Sequence, residues 1–374
     1  MNILVIGNDP KIFEENSESY VRVRNYASLF GEFHIVSMAR SGARHRVYDG
    51  NLFLWPVISP FLFFGWVRAY YTLCRIVKTH SITIIDAQDA GEAGLVAWLV
   101  SRVSKIPFRV QIHTDIMSPW FSHASWKEWV RYRIARFVIP RASCIRVVSE
   151  RIKKSLLHAT HYTLHAEKIT VLPIFTDISK FLTVPLRNLK SGEPFTLVAI
   201  GRFVEKEKNF RMLIRMMRTF IVEAPGARLM IVGDGHGRQQ YEKDIVRNGL
   251  TKHVILTQWA HDLVSIYSQA DVVCVSSNYE GWGRVTIEAM ASGVPVVTTD
   301  VGCAGEVVKN MQNGIVVPVD DEKAFYDACL RLYRNSELRR SLGDQARVSV
   351  MKLEPRTEEE YLKAYRDSFN RCLR

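Results

Sequence analysis

The residues best suited to chemistry lie in one stretch of the sequence, SSNYEGWGRVTIEAMASGVPVV, residues 276–297. Glu280 follows an apolar run, and a Gly-Trp-Gly turn over 281–283 leads into a helical pattern that carries Glu288. Glycine lets a ligand approach the backbone closely, and the first N–H groups of the helix then form an anion site suited to a diphosphate. The two glutamates could accept hydrogen bonds from hydroxyl groups. The competing interpretation is a capped helix with two solvated acids.

Two cations follow an apolar run in VAIGRFVEKEKNF, residues 198–210. Arg202 comes directly after the predicted strand, and Lys208 lies near the start of a helical pattern. An arginine fork and a lysine point charge can clamp phosphates together. A solvated loop of alternating charges is the competing interpretation.

Two other predicted strand ends give weaker signals. MIVGDGHGR, residues 230–238, places Gly233 after a strand, but the stretch is neither a dinucleotide fingerprint nor a Walker loop. RVQIHTD, residues 109–115, ends with His113 and Asp115 close to a strand end. A lone histidine is more often structural than catalytic, but this one could face the cleft, so both roles stay open.

The elements that must position these motifs alternate between short apolar runs and helical patterns. Strands of continuous Val, Ile and Leu predict parallel sheets covered on both faces, whose ligands lie at the carboxyl ends of the strands. With two such domains, the cleft between them is the expected site. The polar stretch 182–194 reads as the linker. The predicted strands are 3–7, 33–38, 82–87, 108–113, 144–149 and 169–173, then 195–201, 228–233, 254–257, 271–276, 295–299 and 315–318.

Length and composition limit the possible classes of protein. The 374 residues predict about two domains, and an apolar fraction of 47% excludes intrinsic disorder. Lys and Arg exceed Asp and Glu by 50 to 38, which predicts an anionic partner: nucleic acid, phospholipid or a phosphorylated substrate. Six dispersed cysteines without a C-x-x-C pair favour a reduced, cytosolic chain, and the N-terminus reads as a strand rather than a signal peptide.

The apolar segment LFLWPVISPFLFFGWV, residues 52–67, is too short to span a bilayer and is broken by two prolines. It predicts a buried strand followed by an apolar loop, with a membrane-touching loop as the alternative.

The order GR-x5-K, VGDG and E-x7-E, followed by GCAGEVVKNMQNGIVVPVDD over 302–321, resembles the GT-B glycosyltransferases of family 4 (glycosyl transferases group 1). The resemblance is specific over roughly 195–320 and looser before it. It implies an α/β fold of two facing Rossmann-like domains with parallel sheets. Residues 1–181 would bind the acceptor, residues 193–352 would bind a nucleotide sugar, and a helix within 353–374 would cross back onto the first domain.

The resemblance also implies roles for the motif residues. The donor diphosphate would be neutralised by two cations and cradled by the glycine turn, and the donor sugar and ribose would each meet a glutamate. Predicted catalytic residues are Arg202, Lys208, Glu280 and His113, and predicted donor-binding residues are Gly233, Gly281, Trp282, Gly283 and Glu288.

The family's Gly-rich loop is replaced here by residues 8–27, where Tyr20, Arg22 and Arg24, together with Asp115, are the predicted acceptor-side residues. The chain contains no D-x-D sequence, so we expect no metal ion and no cofactor. The family implies retention of anomeric configuration, with the leaving phosphate accepting the acceptor's proton.

Most of the excess positive charge lies in the first half: residues 1–180 hold 23 Lys and Arg against 14 Asp and Glu. The charge is concentrated at 126–154, where Trp126, Trp129, Val130, Ile134 and Phe137 share one helix face beside basic residues. Tryptophan beside basic residues suits an anionic membrane. A core-packed helix with a basic rim is the competing interpretation.

These features favour a cytoplasmic glycosyltransferase of envelope-polysaccharide or glycolipid synthesis, located at the inner face of the plasma membrane. Its predicted partners are a nucleotide sugar, a glycan or lipid-linked acceptor, and an anionic membrane that contacts 126–154. The alternative is a sugar-nucleotide epimerase or a glycoside-cleaving enzyme that uses Glu280 and Glu288. A nucleic-acid-binding protein is more remote, because no helix-turn-helix, zinc-finger or RNA-recognition signature is present.

Overall fold

The chain folds into two compact units, Met1–Pro173 with Glu358–Arg374, and Ile174–Thr357. The computed structural model describes residues 1–38, 46–48, 50–59, 62–159, 164–185, 187, 192–260 and 262–373, without the side chains of 46–48, 62 and 63. In this part of the chain, no helix is both long and apolar enough to cross a membrane.

The first unit contains an eight-stranded sheet that is parallel except for one edge strand. Because these strands run parallel, their carboxyl ends share one edge of the sheet. The sheet order is β3-β4-β2-β1-β5-β6-β7-β8. Its strands are β1 Asn2–Gly7, β2 Glu32–Met38, β3 Arg46–Tyr48, β4 Leu52–Val57, β5 Ile84–Ala87, β6 Phe108–Ile112, β7 Cys144–Val147 and β8 Ile169–Val171.

The helices of the first unit begin at recognisable signals. Ser17 and Ser125 cap two of them by accepting from a backbone N–H three residues later. The α-helices are α1 Glu18–Ala27, α2 Leu62–Thr79, α3 Glu92–Ser104, α4 Pro119–Ser122, α5 Trp126–Val138, α6 Glu150–Ala159 and a C-terminal helix, Glu358–Asp367. Short 3-10 helices lie at Pro10–Phe13, Ile139–Arg141, Ala166–Lys168 and Asn370–Leu373.

The second unit contains a six-stranded parallel sheet of order β11-β10-β9-β12-β13-β14. Its strands are β9 Thr196–Ile200, β10 Arg228–Val232, β11 Val254–Thr257, β12 Val272–Val275, β13 Val296–Thr299 and β14 Ile315–Val317. Its helices are α7 Ser179–Leu182, α8 Glu205–Lys208, α9 Phe210–Glu223, α10 Arg238–Arg247, α11 Leu263–Ser268, α12 Arg284–Ala291, α13 Glu322–Arg334 and α14 Ser336–Val350.

The twelve predicted strands are all present, and the differences lie elsewhere. The apolar stretch 52–67 is a strand followed by the start of α2, so the predicted apolar loop was wrong for its last residues. Helix forms there because apolar residues such as Ala69, Leu73 and Ile76 recur at helical spacing and are buried. Of the predicted linker, residues 186 and 188–191 lie outside the described residues.

The unit boundaries differ in detail from those read in the sequence. Residues 174–181 belong with the second unit, although the sequence placed the end of the N-terminal domain at 181. Phe181 is buried and packs edge-on against Tyr267 of that unit, with ring centroids 5.5 Å apart. The packing of Phe181 therefore ties this segment to the second unit.

A buried row of polar side chains crosses the first sheet and holds the C-terminal helix. Gln111 donates to Asp86 Oδ2 at 2.6 Å, and Arg146 donates to Gln111 Oε1 at 2.6 Å. Arg146 also donates to the hydroxyl of Tyr361 at 2.9 Å. Burial raises the pKa of Asp86, and the nearby Arg109 opposes that shift. The C-terminal helix thus completes a hydrogen-bond network that begins inside the sheet.

Aromatic packing reinforces the same contact. Tyr365 is fully buried and stacks on Tyr26 with ring centroids 4.2 Å apart. The guanidinium of Arg109, also fully buried, lies 3.9 Å from the ring centroid of Phe369. Stacked rings and a cation over an aromatic face both stabilise a buried interface.

A disulfide joins Cys144, the first residue of β7, to Cys372 near the chain end. The expectation of a fully reduced chain did not anticipate this bond. Because 228 residues separate the two cysteines, no local spacing could have indicated it. The bond fixes the last 3-10 helix to the sheet.

Replacing Tyr365 with alanine is expected to lower the free energy of unfolding by about 3–5 kcal/mol, because a fully buried ring leaves a cavity. Tyr71→Ala is the control, since that ring lies largely in solvent and should change stability by less than about 0.5 kcal/mol. Urea denaturation followed by circular dichroism measures both. Equal midpoints for the two variants would contradict the packing described here.

Candidate active site

The segments that follow four neighbouring strands of the second sheet meet at one edge. Strands β10, β9, β12 and β13 lie side by side in that order and run parallel. The loops after their carboxyl ends carry residues 201–208, 233–237, 276–283 and 300–303. Most of the predicted site residues lie on these loops.

Lys208 lies between two carboxylates. Its Nζ contacts Glu280 and is 3.0 Å from Oε1 of Glu207. Burial lowers the pKa of Lys208, but the charges of Glu280 and Glu207 outweigh it and hold that pKa above its ordinary value. Lys208 is therefore a fixed cation at physiological pH and not a proton carrier.

Arg202 is linked to Lys208 because both contact Glu207. Its Nη2 donates to Oε2 of Glu207 at 2.8 Å, while 71% of its side chain is exposed. The structure thus brings the two predicted cations to one shared acid. Glu207 was missed in the sequence because the EKEK run has the pattern of a solvated loop.

Hydrogen bonds tie the loop of Glu280 to that of Lys208. Ser277 Oγ donates to Glu280 Oε1 at 2.9 Å. Ser276 Oγ donates to the carbonyl of Lys208 at 2.7 Å, and the N–H of Asn278 donates to the carbonyl of Glu207 at 2.8 Å. Both contacts of the Glu280 carboxylate use Oε1.

The turn at 281–283 presents the start of α12 without a side-chain cap. Gly283 occupies the cap position at φ 94°, in the left-handed region that favours glycine. Trp282 is buried, and its carbonyl accepts from the N–H of Cys303 at 2.9 Å. A Cβ at Gly302 would lie 2.7 Å from that carbonyl. Close packing therefore fixes the turn and the uncapped, positive end of the helix dipole.

Glu288 lies one turn further along α12 and is buried. Tyr267 donates to its Oε2 at 3.0 Å, and Arg284 lies 3.6 Å from its Oε1. Burial, followed by the charge of Glu288, raises the pKa of Tyr267 well above its ordinary value. Tyr267 lies 21 residues upstream of Glu288, so no sequence pattern linked the two.

Gly233 has no room for a side chain. It adopts φ 153°, and a Cβ there would lie 1.9 Å from the carbonyl oxygen of Gly201. Gly201 in turn leaves space for Lys208, whose Cε would lie 3.2 Å from a Cβ at that position. The two glycines thus allow the first two loops to touch while the lysine stem passes beside them.

The predicted residues of the first unit follow β6. Burial, together with the cations Arg146 and Arg22, lowers the pKa of His113 to about 3, so its imidazole is neutral at physiological pH. Asp115 accepts from Ser155 Oγ at 2.8 Å, and burial raises its pKa. His113 can therefore donate or accept a hydrogen bond but does not supply a positive charge.

The three remaining residues predicted on the acceptor side lie on α1. Tyr20 is buried, whereas Arg22 and Arg24 are exposed. Arg22 lies 3.5 Å from Oδ2 of Asp9 and is close enough to His113 to affect its pKa. The structure brings Arg22 towards His113, and it places the ring of Tyr20 in the core.

This geometry argues against a glycoside-cleaving enzyme that uses Glu280 and Glu288 as a pair of carboxylates. A glycoside-cleaving pair needs two carboxyl groups that face one sugar. Glu280 is bound to Lys208, whereas Glu288 is buried against Tyr267 and Arg284. The two acids therefore face different partners.

A cluster of metal-type ligands lies in the first unit and is satisfied by hydrogen bonds. Glu32 Oε2 lies 3.1 Å from Nε2 of His34 and 3.2 Å from Nδ1 of His80. Trp55 donates its indole N–H to Nδ1 of His34 at 3.3 Å. An indole can only donate, so in neutral His34 the proton lies on Nε2 and faces Glu32. The lone pair that a metal ion would need there is occupied.

Comparisons with known proteins agree with this arrangement. Residues 194–335 match the family "Glycosyl transferases group 1", and residues 22–174 match "Glycosyl transferase 4-like domain". The chain is 30% identical to the putative glycosyltransferase EpsD of Bacillus subtilis over 80% of each chain. It is 24% identical to the capsular polysaccharide biosynthesis glycosyltransferase CapM of Staphylococcus aureus over 85% of each.

The fold also matches a solved structure. Anabaena HepE in complex with UDP superposes with a TM-score of 0.71 at 19% identity, covering 100% of this chain and 99% of that one. This likeness, with the two Rossmann-like sheets, confirms the GT-B fold.

Replacing Gly233 with alanine is expected to lower the melting temperature by several degrees, because the new Cβ would collide with a backbone carbonyl. Gly249→Ala is the matched control, since it also has a positive φ but nothing within 4 Å of the added carbon. Its cost is therefore the conformational one alone, about 1 kcal/mol. A Gly233→Ala protein at least as stable as the control would show that the two loops do not touch as described.

Proposed function

The chain belongs to the glycosyl transferases of group 1, and on that premise we propose the reaction that it carries out. It moves a sugar from a nucleotide-sugar donor to a glycan or lipid-linked acceptor in cell-envelope polysaccharide or glycolipid synthesis. The similarity to the glycosyltransferases EpsD and CapM and the UDP bound to HepE support this class of reaction. The observation that carries the proposal is Lys208 beside Glu280, next to the uncapped start of α12.

The donor diphosphate is proposed to bind at the start of α12. Breaking the bond between sugar and phosphate leaves negative charge on the diphosphate, and preorganised N–H groups and cations stabilise it. Arg202 has most of its side chain in solvent, so it can turn towards a phosphate with little desolvation cost. Lys208 is held in place by its two acids and adds a fixed positive charge.

Glu280 is proposed to bind a hydroxyl of the donor sugar. Its contacts with Lys208 and Ser277 both use Oε1, and in the described part of the chain Oε2 has no hydrogen-bond partner. Glu288 is proposed to bind the ribose, which requires its carboxylate to accept from ligand hydroxyls in addition to Tyr267.

Transfer is proposed to retain the configuration of the anomeric carbon. The acceptor oxygen attacks from the face that the phosphate leaves, the new C–O bond forms as the old one breaks, and the acceptor's proton passes to the leaving phosphate oxygen. His113, neutral and at the carboxyl edge of the first sheet, is proposed to orient sugar or acceptor hydroxyls, with Arg22, Arg24 and Asp115 on the acceptor side.

No metal ion or other cofactor is required in this proposal. The sequence has no D-x-D pair to coordinate a metal–diphosphate complex. Arg202, Lys208 and the helix dipole together supply the positive field that a divalent ion would otherwise provide.

A peripheral membrane contact through 126–154 is also part of the proposal. Trp126 and Trp129 are 72% and 52% exposed, so the aromatic face of α5 does not pack into the core. Arg133 lies over the ring of Trp129 at 5.6 Å. Exposed tryptophan beside arginine fits the head-group region of an anionic bilayer.

Lys208→Ala and Glu280→Ala are each expected to reduce transfer by at least about 100-fold, because each removes a group that stabilises the transition state. Lys208→Ala should also weaken nucleoside diphosphate binding, whereas Glu280→Ala should keep it, since it removes a negative charge. Transfer assays and thermal shifts with UDP and other nucleoside diphosphates measure the two effects. Lys323→Ala, at an exposed ion pair, is the control. Near-normal turnover in either site variant would overturn the assignment.

The product is expected to carry the anomeric configuration of the donor, and turnover is expected to survive treatment with EDTA. Proton NMR of the product gives the anomeric configuration, and assays before and after chelation test the need for metal. An inverted anomer would exclude front-face attack. Loss of turnover that returns with added Mg²⁺ or Mn²⁺ would exclude the metal-independent mechanism and leave the family assignment intact.

A further inference from the structure

Helix α2 presents a second basic and aromatic surface that lies outside 126–154. Val67, Arg68, Tyr71, Arg75 and Lys78 are all exposed, and Tyr71 is 67% exposed. Their spacing of three or four residues places them along one side of the helix. The helix contains no Asp or Glu.

Helix α3 lies between α2 and α5 and contacts both. Its outward residues continue the same composition. Leu99 and Val103 are exposed, the latter at 70%, and Arg102 and Lys105 lie beside them. Three adjacent helices thus share an exposed surface of apolar and basic side chains.

The acids of these helices are used within the unit. Arg131 lies 3.0 Å from Glu92 and 3.9 Å from Glu128. In the described part of the chain, no Asp or Glu is among the exposed residues of α2, α3 and α5. Among the described residues of these three helices, the partly exposed Glu92 and Glu128 are both paired with Arg131, so the surface carries an excess of positive charge.

A groove of about 660 Å³ opens between the end of α3 and the segment after α5. Arg102, Lys105, Arg141 and Trp98 are among its lining residues, and no acid lines it. Arg141 lies 3.9 Å from the ring centroid of Phe137 on α5. Cations beside aromatic rings at a concave surface match a phosphate head group that lies over acyl chains.

We propose that the outer faces of α2, α3 and α5 form one platform that binds an anionic bilayer. The inference rests on the membrane contact proposed above and extends it to two helices outside 126–154. The basic residues favour an anionic bilayer over an uncharged one. A zwitterionic or neutral surface would cover the exposed apolar side chains but would leave the basic residues without counter-charges. The platform residues are Val67, Arg68, Tyr71, Arg75, Lys78, Leu99, Arg102, Val103, Lys105, Trp126, Lys127, Trp129, Val130, Arg133, Arg136, Phe137 and Arg141.

If the three helices bind the bilayer together, the positive charge on α3 contributes as much to vesicle binding as the positive charge on α5. Each basic residue near an anionic leaflet strengthens binding roughly fivefold, so reversing one charge should weaken it about tenfold or more. Removing one exposed valine at the same time adds to the loss. The effect should disappear on uncharged vesicles and decrease with salt.

The test is vesicle co-sedimentation with the full chain, using phosphatidylcholine vesicles with and without phosphatidylglycerol. The double variant Arg102→Glu with Val103→Ser alters α3. Val246→Ser with Arg247→Glu is the matched control, because it makes the same changes at an exposed pair in the second unit, where Val246 is 67% exposed. Melting temperature and the thermal shift with UDP confirm that each variant is folded and keeps its donor site.

We expect the wild-type chain and the control to bind anionic vesicles and the α3 variant to bind about tenfold more weakly. If the α3 variant binds like the wild type while Trp126→Ser with Trp129→Ser does not, the platform is overturned and the contact through 126–154 survives. If the wild type ignores anionic vesicles at low salt, or binds duplex DNA in preference to them, both membrane proposals are overturned. A thermal shift with UDP in that protein would leave the glycosyltransferase proposal standing.

Discussion

In a parallel sheet, each strand must be followed by a crossover before its neighbour can begin, so every carboxyl end lies at the same edge. This constraint positions the candidate site residues of both units. In the second unit it collects the loops after β9, β10 and β12, which are far apart in sequence, into one cluster around Lys208. In the first unit it places His113 at the corresponding edge.

The two units use buried charge in different ways. In the second unit, Lys208 stands between two carboxylates, so its charge is largely compensated, while Arg202 reaches outward from the same acid. In the first unit, Asp86 and Arg146 are joined through Gln111 and are closed over by tyrosines of the C-terminal helix. Those charges serve the fold, because burying them without partners would be costly.

The strands and the donor-side motifs could be predicted because their signals are local. Continuous Val and Ile runs mark strands, and glycines beside Glu280 mark the turn before α12. Features that depend on distant partners could not be predicted. Glu207 looks like any residue of a charged loop until Arg202 and Lys208 are placed around it. Cys144 and Cys372, or Tyr267 and Glu288, are pairs that only the folded chain brings together.

Because the C-terminal helix belongs to the first unit, that unit is discontinuous in sequence, whereas the second is a single uninterrupted segment. A ribosome releases the chain from its N-terminus, so the first unit must wait for its C-terminal helix until the whole second unit has been synthesised. Until then, Gln111 and Arg146 lack the tyrosine hydroxyls that satisfy them, and the ring of Tyr26 has no stacking partner on that helix. The unit whose synthesis begins first thus receives its last helix only after the second unit has emerged.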